Sequence, residues 1–491
     1  MNNNLYAGHD SWNGFGLKLF SDAQIEALHL TTLKVMERTG VFVESQKALK
    51  IFADNGANVN YDTNIVKFPA YIVEEAIRCA PGSVLLAGRN PKNDIVLEGD
   101  KVHFCSFGEA VSVIDPFSGQ LRKAVKDDVC TYAKIVDALD NFAMCWDSLV
   151  PSDVDGQLYN LHSFEAYLNN TSKNCCVATP DGNIARLAIE MGAAVVGGKE
   201  KIKERPIFLA GTCPQSPLFY HEGLCDAIIE LSMVGAPIII MSAATCGGTG
   251  PVTLAGTIVV HNAELLTGLI LSQLVLRGTP FLYGSCTSIL DLRKANATFG
   301  CPELGMISAA VAKLTQHYKI PNVVAGFWTD SKVTDMQSGH EKTLNSIIPA
   351  LAGANMVFGT GGIEGGLTLS YGQLVADNEF AGMIKRVLRG IPVNEEHLAL
   401  DLIHSVGPRG NFLAEEHTIK YMKECQSQPK MLDRGNRSEW SGLGAKDMAA
   451  RCDDEARRIL EEHKPEPLPQ GVAEKLRTII KDGERNGKTI N

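Results

Sequence analysis

The feature that most constrains the fold is a regular alternation of short apolar runs with helix-length segments between residues 102 and 388. Each run is long enough for a strand, and each intervening segment is long enough to cross back over a sheet, so consecutive strands would pair in parallel. The eight runs begin at residues 102, 142, 174, 206, 237, 280, 322 and 355. Eight parallel strands alternating with eight helices predict an α/β protein with a (β/α)8 barrel, the TIM barrel.

A doubly wound open sheet is the alternative arrangement for such a pattern. An open sheet of this kind usually carries a Gly-x-Gly-x-x-Gly turn after an early strand, and this sequence has none there. The sequence therefore favours the closed barrel. The predicted crossover helices cover residues 125–139, 156–168, 184–196, 220–234, 254–276, 303–317, 338–351 and 377–388.

Two flanking segments extend this predicted barrel. Residues 1–100 contain a helix that Ser21 caps and Gly40 ends, followed by a mixture of short strands and helices. No linker rich in proline, serine or charge separates them from the rest, so we expect an N-terminal cap built onto a barrel of residues 101–390. Residues 391–491 are more charged and lack the strand rhythm, which predicts a C-terminal helical extension.

Charge and hydropathy exclude several classes of function. The chain has 46 basic and 56 acidic residues and a net charge of −10, which argues against nucleic acid or an anionic membrane as a partner. The longest apolar stretch, 257–276, is interrupted by His261, Asn262 and Glu264, and the first residues lack the pattern of a signal peptide. We therefore expect a cytoplasmic protein.

Cysteine usage and metal motifs also narrow the chemistry. The 13 cysteines are an odd number, and no Cys-x-x-Cys pair occurs. That pattern argues against a disulfide framework and against a thiolate zinc site. The sequence also lacks His-Glu-x-x-His, so we expect no metal bound by this chain.

Aromatic and acidic side chains follow several of the predicted strands. In a parallel barrel the functional residues lie where the strands end, at the C-terminal face. Several rings and carboxylates there would form a recess for a small cation, because aromatic faces attract quaternary ammonium groups. For any single ring, plain packing is the alternative. The residues at these positions are Phe107, Glu109, Trp146, Asp147, Tyr283, Phe327, Trp328, Asp330, Phe358 and Glu364.

Two further polar residues are candidates for the other end of a substrate. Arg293 follows the sixth strand and is a candidate to receive a carboxylate, with a surface ion pair as the alternative. His340 lies one turn into a predicted helix, where capping or packing is the alternative to a role in the site.

Glycine-rich turns keep a second enzyme class open. The segments at 247–250 and 359–362 resemble barrel loops that hold a phosphate, although tight turns also need glycine. A TIM-barrel lyase or isomerase acting on a phosphorylated substrate is therefore the alternative function. A non-catalytic betaine-binding protein is a third reading of the aromatic recess.

Five motifs resemble those of the trimethylamine:corrinoid methyltransferase family. The resemblance implies a (β/α)8 barrel that passes a methyl group from a methylamine to a cobalamin-carrying partner protein. It covers most of the chain. The motifs are Tyr283-Gly-Ser, Cys301-Pro-Glu-Leu-Gly-Met-Ile-Ser-Ala-Ala310, Ala325-Gly-Phe-Trp-Thr-Asp-Ser-Lys332, Ser338-Gly-His-Glu-Lys-Thr343 and Gly407-Pro-Arg-Gly-Asn-Phe-Leu-Ala-Glu-Glu-His-Thr418.

One departure from the family pattern bears on the substrate. Archaeal trimethylamine enzymes carry pyrrolysine near the end of strand seven, and Trp328 stands at about that place here. The resemblance therefore implies the branch without pyrrolysine, whose members demethylate quaternary amines such as glycine betaine, proline betaine and carnitine. Glycine betaine is our first choice, with dimethylglycine as the product.

The implied chemistry asks little of the protein beyond position. A quaternary ammonium already carries its charge and leaves as a neutral tertiary amine when the reduced cobalt, Co(I), attacks the methyl carbon. We therefore expect no residue in an acid–base or nucleophile role, but a pocket that aims the methyl group. The resemblance further implies a corrinoid that is supplied free or carried by a small partner protein docking at the barrel mouth, and a homo-oligomer.

Overall fold

The computed structural model describes residues 12–106 and 108–487, and eight parallel strands form its centre. Strands β2 to β8 pair in chain order, and β8 pairs in parallel with β1. A bridge between Phe104 of β1 and Phe142, just before β2, brings the two ends of the sheet together. The predicted barrel is therefore confirmed. Strands β1 to β8 span Lys101–Ser106, Met144–Cys145, Asn174–Ala178, Phe208–Thr212, Ile238–Ser242, Phe281–Ser285, Asn322–Ala325 and Met356–Thr360.

A helix follows each strand and covers the outside of the barrel. Seven of these helices agree with the sequence-based bounds to within a few residues. The eighth begins at Tyr371 rather than at residue 377, because Ser370 caps it by accepting a hydrogen bond from the Gln373 N–H at 3.1 Å. Helices α1 to α8 span Lys126–Ala138, Tyr159–Asn170, Gly182–Val196, Glu222–Met233, Leu254–Val275, Pro302–Tyr318, Met336–Ala352 and Tyr371–Leu388.

Two separate apolar layers result from the alternation of side chains along the strands. One lies inside the barrel, and the other lies between the strands and the helices. Strand β6 illustrates the division: Leu282 points into the barrel, whereas Phe281 and Tyr283 belong to the outer layer. The position of a residue along its strand therefore decides whether its side chain can reach the barrel mouth.

The N-terminal segment closes the end of the barrel opposite the mouth. Its hairpin, Ser83–Leu86 with Ile95–Glu98, places Val84 and Leu97 in the apolar layer inside the barrel. The predicted cap at Ser21 is present, because its hydroxyl accepts from the Gln24 N–H. The helices of this segment are Asp22–Arg38, Gln46–Asp54 and Ala70–Cys79, and its other strands are Trp12–Asn13, Val41–Val43, Asn58–Asn60 and Ile65–Lys67.

The C-terminal segment is the predicted helical extension. Helix Met448–Glu462 packs against α8 and α1, and helix Val472–Gly487 packs against α2 and α3. The part between α8 and Met448 packs much less, and most of its residues are exposed. Its helices are Glu395–Leu398, Leu400–Val406, Glu416–Cys425 and Arg437–Gly442.

Helix α5 is long and apolar enough to cross a membrane by length and composition alone. In this fold it is a core helix, because 72% of its most apolar window is buried inside the protein. Its one carboxylate, on Glu264, accepts hydrogen bonds from the Ser242 hydroxyl at 2.6 Å and the Leu218 N–H at 2.9 Å. These partners satisfy a charge that burial would otherwise make costly.

Candidate active site at the barrel mouth

Aromatic and sulfur-containing side chains line the barrel interior at its C-terminal end. The ring centroids of Trp146, after β2, and Phe358, on β8, are 5.7 Å apart. Those of Trp328, after β7, and Phe299, after β6, are 5.0 Å apart at 32° between planes. Together with a carboxylate and two thiols described below they form what we call the mouth recess. Its residues are Glu109, Trp146, Cys213, Cys286, Phe299, Trp328 and Phe358.

Trp328 packs between Gly359 and Gly366, and neither glycine has space for a side chain of its own. A Cβ atom on Gly366 would lie 1.9 Å from Trp328 Cζ3, and one on Gly359 would lie 2.6 Å from Trp328 Cδ1. Both glycines also have a left-handed backbone, with φ of +90° and +116°. The glycine-rich turn after β8 is therefore explained by its close approach to the indole ring.

Hydrogen bonds tie the loop after β6 to the loop after β7. The Asp330 carboxylate accepts from the Phe299 N–H at 3.1 Å and the Gly300 N–H at 3.0 Å, and also from the Thr298 hydroxyl. The Asp330 N–H in turn donates to Glu341 Oε2 at 3.0 Å. Asp330 therefore holds Phe299 over Trp328, and its carboxylate is occupied by the protein.

A fully buried ion pair lies behind the same loops. Lys342 Nζ on α7 is 2.9 Å from Asp377 Oδ2 on α8, and both side chains are completely buried. Lys342 also donates to the Phe327 carbonyl at 2.6 Å, and Asp377 accepts from the Gly361 N–H at 2.7 Å. Burial lowers the pKa of Lys342 and raises the pKa of Asp377, while their mutual attraction opposes both shifts. This pair is not among the residues predicted from the sequence.

Glu109 is the charged group of the mouth recess. Its side chain is exposed to water, yet the surrounding protein raises its pKa through burial, as expected for a side chain inside an open recess. Its charge adds to the effect of burial in raising the pKa of neighbouring groups. Those groups are Asp147, Tyr159, Cys213 and Cys286.

Asp147 lies beside this recess and is fully enclosed. Its carboxylate accepts from the Tyr167 hydroxyl at 2.9 Å and from the Ala178 N–H at 3.1 Å. Burial, and to a smaller extent the charge of Glu109, raises the pKa of Asp147 to about 7. The pKa of this carboxyl group therefore lies much closer to neutral pH than that of a solvent-exposed aspartate.

Small side chains keep the other side of the mouth open. Ala178, Gly211 and Ala243, at the ends of β3, β4 and β5, retain accessible surface, and Cys213 is exposed. A Cβ atom on Gly211 would face Ile239 and Cys176, which belong to the barrel interior. The mouth is therefore less covered on the side where the strand ends carry Ala178, Gly211 and Ala243.

The structure does not bring Tyr283 and Phe327 into the recess. The Tyr283 hydroxyl donates to Asn262 Oδ1 on α5 at 2.8 Å, and the Phe327 ring packs on Phe104 with centroids 5.7 Å apart. Tyr283 lies in the outer layer because the alternation along β6 directs it toward the helices, and Phe327 lies there because the chain turns after β7. We therefore remove these two residues from the candidate site.

Three predicted polar residues also lie elsewhere. Arg293 is exposed and pairs with Asp291 at 2.9 Å on the hairpin after β6, which is the surface ion pair considered above. His340 is exposed on α7, and the half-buried Glu364 accepts from the Thr368 hydroxyl at 3.0 Å in the loop after β8. Phe107 lies outside the described residues.

Two other ligand types, a phosphate group and a metal ion, have less structural support at the barrel mouth. The Gly247 N–H donates to the Gly250 carbonyl at 3.0 Å, so this glycine-rich segment is a tight turn. No group of three or more His, Cys, Asp or Glu side chains is arranged to hold a metal ion within residues 12–106 and 108–487. The recess instead offers aromatic faces and one accessible carboxylate, a combination suited to a small organic cation.

Comparison with known proteins identifies a family model and relatives that resemble this chain. The model of the trimethylamine methyltransferase (MTTB) family matches residues 13–487. A trimethylamine methyltransferase of Desulfitobacterium hafniense (strain DCB-2) is 46% identical over 480 residues, 98% of this chain and 97% of that protein. A glycine betaine methyltransferase of D. hafniense (strain Y51) is 30% identical over 465 residues, 94% of this chain and 96% of that protein.

One solved structure and one archaeal sequence also resemble this chain. The monomethylamine methyltransferase of Methanosarcina barkeri aligns with a TM-score of 0.49 at 14% identity, covering 89% of this chain and 92% of that one. A trimethylamine methyltransferase of M. barkeri is 38% identical over 488 residues, 98% of each chain. The family match over residues 13–487, together with the identities of 46% and 38% to trimethylamine methyltransferases, shows that the chain is a methyltransferase and belongs to the trimethylamine methyltransferase family.

Proposed function

We propose that this enzyme transfers a methyl group from a small quaternary amine to the Co(I) corrinoid of a partner protein. Glycine betaine is the first choice of substrate, and dimethylglycine is then the product. The observation that carries the proposal is Glu109, an exposed carboxylate at the barrel mouth, where the nearly buried rings of Trp146 and Trp328 and the buried ring of Phe358 end the apolar interior.

A quaternary ammonium group suits this recess for a physical reason. It carries a positive charge but no N–H, so it gains little from hydrogen-bond acceptors and much from aromatic faces. Each such contact contributes up to about 2 kcal/mol when water is excluded. We expect Trp146 and Trp328 to supply the faces, Phe358 to support Trp146 from a fully buried position, and Glu109 to supply the compensating negative charge.

The reaction balances without a proton from the protein. The electron pair of the reduced cobalt forms the new bond to the methyl carbon, and the electrons of the broken C–N bond remain on nitrogen as the lone pair of a neutral amine. The task of this chain is to hold the N–CH₃ bond in line with the acceptor and to keep the head group dry. The ties around Trp328 serve that task, because they fix one wall of the recess.

Trimethylamine is the second candidate substrate. Relatives at 46% and 38% identity carry that name, and a tertiary amine must be protonated before it can leave as a neutral product. Asp147, with its pKa raised to about 7 by burial, is an acid of suitable strength beside the recess.

An assay with a panel of four substrates distinguishes a quaternary amine from trimethylamine as the substrate. The purified enzyme is mixed with free Co(I) cobalamin and with glycine betaine, proline betaine, carnitine or trimethylamine, and methylation of cobalt is followed by visible absorbance. We expect glycine betaine to react fastest. Trimethylamine as the best substrate would overturn the choice of a quaternary amine, and no spectral change with any of the four would overturn methyl transfer to cobalamin.

Matched glutamate variants then test the recess itself. We expect Glu109→Gln to lower kcat/KM by about tenfold, since the attraction between two unit charges about 4 Å apart is roughly 1 kcal/mol in water and larger near a protein surface. Glu364→Gln is the control, because that carboxylate lies in the loop after β8 and already accepts from Thr368. Equal effects of the two substitutions would remove Glu109 from the site.

The partner contacts follow from the same geometry. The open side of the mouth, at Ala178, Gly211, Cys213 and Ala243, is where a small corrinoid protein would deliver the methyl acceptor. We further propose that copies of the chain associate and that the enzyme works in the cytoplasm.

A further inference from the structure

Three consecutive residues after β2 bring groups of the site together. Trp146 supplies a ring of the mouth recess, Asp147 supplies the enclosed carboxylate beside it, and Ser148 follows. We call this tripeptide the β2 hub. Strand β2 itself spans only Met144–Cys145, so the sheet alone fixes little of the chain that comes after it. The position of the hub therefore depends on contacts from outside the sheet.

The hub also holds the chain on either side of Glu109. The Gly108 N–H donates to the Asp147 carbonyl at 3.0 Å. The Ala110 N–H donates to the Ser148 carbonyl at 3.1 Å. Because these two bonds flank Glu109 along the chain, a shift of the hub would move the Glu109 carboxylate with it.

Two tyrosines on the surrounding helices fix the hub. The Tyr167 hydroxyl, on α2, donates to Asp147 Oδ1 at 2.9 Å and accepts from the Ser148 N–H at 3.3 Å. The Tyr132 hydroxyl, on α1, donates to the Trp146 carbonyl at 3.0 Å and accepts from the Ser148 hydroxyl at 2.6 Å. Both tyrosines are fully buried. Each hydroxyl therefore spends its one proton on the hub and accepts a bond from it as well.

We propose that Tyr132 and Tyr167 are positioning residues for methyl transfer and act through the β2 hub. Neither ring lines the recess, since both lie in the apolar layer between the strands and the helices. Tyr167 fixes the carboxylate of Asp147, whereas Tyr132 fixes the backbone of Trp146, so loss of the two hydroxyls should have different effects. This inference rests on the proposed function, because it takes the mouth recess as the place where the quaternary amine binds.

A bond to the ionised form of a carboxylate distinguishes Tyr167 from a residue that only packs. Burial raises the pKa of Asp147 to about 7 with a smaller contribution from the charge of Glu109, and the bond from Tyr167 opposes that rise. Removing the hydroxyl should therefore raise this pKa further. The other titratable groups near Asp147 keep their protons at neutral pH, because burial raises the pKa of each; they are Cys145, Tyr159, Tyr167, Cys175 and Cys176.

Tyr167→Phe tests the first half of the proposal, because it removes the hydroxyl and keeps the ring. We expect the pH midpoint of glycine betaine binding, measured by calorimetry, to rise by about one unit, since the ionised carboxylate loses a donor. At about pH 7, kcat/KM should fall a few-fold, and it should recover at about pH 9. Tyr283→Phe is the matched control, because that buried hydroxyl bonds to Asn262 and should change neither quantity. An unchanged midpoint, or a loss that persists at about pH 9, would overturn the role of Tyr167.

Tyr132→Phe tests the second half. We expect kcat to fall a few-fold while the pH midpoint stays as in the wild type, since this hydroxyl does not contact Asp147. The effect is modest because the Ser148 hydroxyl, 3.2 Å from the Trp146 carbonyl, can still donate to it. A kcat equal to that of Tyr283→Phe would overturn the role of Tyr132.

Hydrogen exchange tests the positioning role without any substrate. The amides of Gly108 and Ala110 should exchange about tenfold faster in either hub variant than in Tyr283→Phe, because their acceptors are held less firmly. Wild-type exchange there in both variants would overturn the proposal even if activity falls. If glycine betaine does not bind to the wild type, the proposed substrate is wrong, and faster exchange in the hub variants would still support the positioning role.

Discussion

The two sides of the barrel mouth are built differently. On the side of β6, β7 and β8, the loops are tied to one another through Asp330, through Lys342 with Asp377, and through glycines pressed against Trp328. On the side of β3, β4 and β5, the strand ends carry Ala178, Gly211 and Ala243, which retain accessible surface. We refer to these as the clamped side and the open side.

Because the two sides differ in structure, we expect each side to have a separate function. A fixed aromatic wall can aim a methyl group, because misplacement by about 1 Å is enough to slow a transfer by orders of magnitude. An open wall admits the substrate and lets the methyl acceptor approach. Substitutions on the clamped side should therefore affect stability and transfer, whereas changes at the carboxylates near the open side should affect binding of the cation.

The largest effect, a loss in the free energy of unfolding, is expected for the substitution Lys342→Met on the clamped side. It would leave the Asp377 carboxylate buried without its partner, which costs about 3–5 kcal/mol of unfolding free energy. Chemical denaturation measures the loss. Lys50→Met is the control, because Lys50 pairs with Asp54 at 3.2 Å on the surface.

The double variant Lys342→Met with Asp377→Leu sharpens this result. Replacing both charges by apolar groups should restore part of the stability, since the unpaired charge is gone although the Phe327 carbonyl and the Gly361 N–H lose a partner. A single variant no less stable than Lys50→Met would show that the pair does not hold the clamped side together.

The next effect concerns the glycine beneath Trp328. Gly366→Ala combines a left-handed backbone with a clash against the indole ring, and we expect a loss of about 3 kcal/mol. Gly119→Ala carries the same backbone penalty of about 1 kcal/mol with nothing within 4 Å of the added carbon. Comparing their denaturation midpoints isolates the contact with Trp328, and equal losses would mean that the ring simply moves aside.

Removal of the indole should have a moderate effect on transfer. Trp328→Ala is expected to lower kcat/KM for methyl transfer to cobalamin by about tenfold or more, because one cation–π wall is lost and the methyl group shifts. Tyr283→Phe, which removes only the bond to Asn262 in the outer layer, should leave kcat/KM unchanged. An unchanged rate in Trp328→Ala would exclude that residue from the site.

The smallest effect is a pH dependence of binding. Burial raises the pKa of Asp147 to about 7, so the group gains its negative charge as the pH rises through that value. A cation favours the charged form, so glycine betaine should bind a few-fold more tightly at about pH 8 than at about pH 6, with release of a proton. Calorimetry of wild type and Asp147→Asn measures this, and a variant with the same slope would assign the titration to another group.

The sequence predicted the barrel well because its signal repeats eight times. Each apolar run sits between helix-length segments, so an error in one bound does not change the topology. Prediction of α8 was the least accurate, since only the Ser370 cap shows where the helix starts.

The side-chain directions were harder to predict from the sequence. Trp328 and Phe327 are neighbours, but one lies in the barrel interior and the other in the outer layer. The chain turns here, with the Trp328 N–H donating to the Gly326 carbonyl at 2.7 Å, so simple alternation from β7 does not extend to these residues. The ion pair of Lys342 and Asp377 was not predicted because these residues meet only when α7 and α8 pack together.

Binding of an uncharged substrate analogue tests the central claim most directly. In 3,3-dimethylbutanoate a carbon atom replaces the nitrogen of glycine betaine, so the shape and carboxylate are kept while the positive charge is lost. If Glu109 and the aromatic wall recognise the ammonium charge, wild-type enzyme should bind glycine betaine on the order of 50-fold more tightly in calorimetry. Equal affinities for the two compounds would contradict a cation site at the barrel mouth.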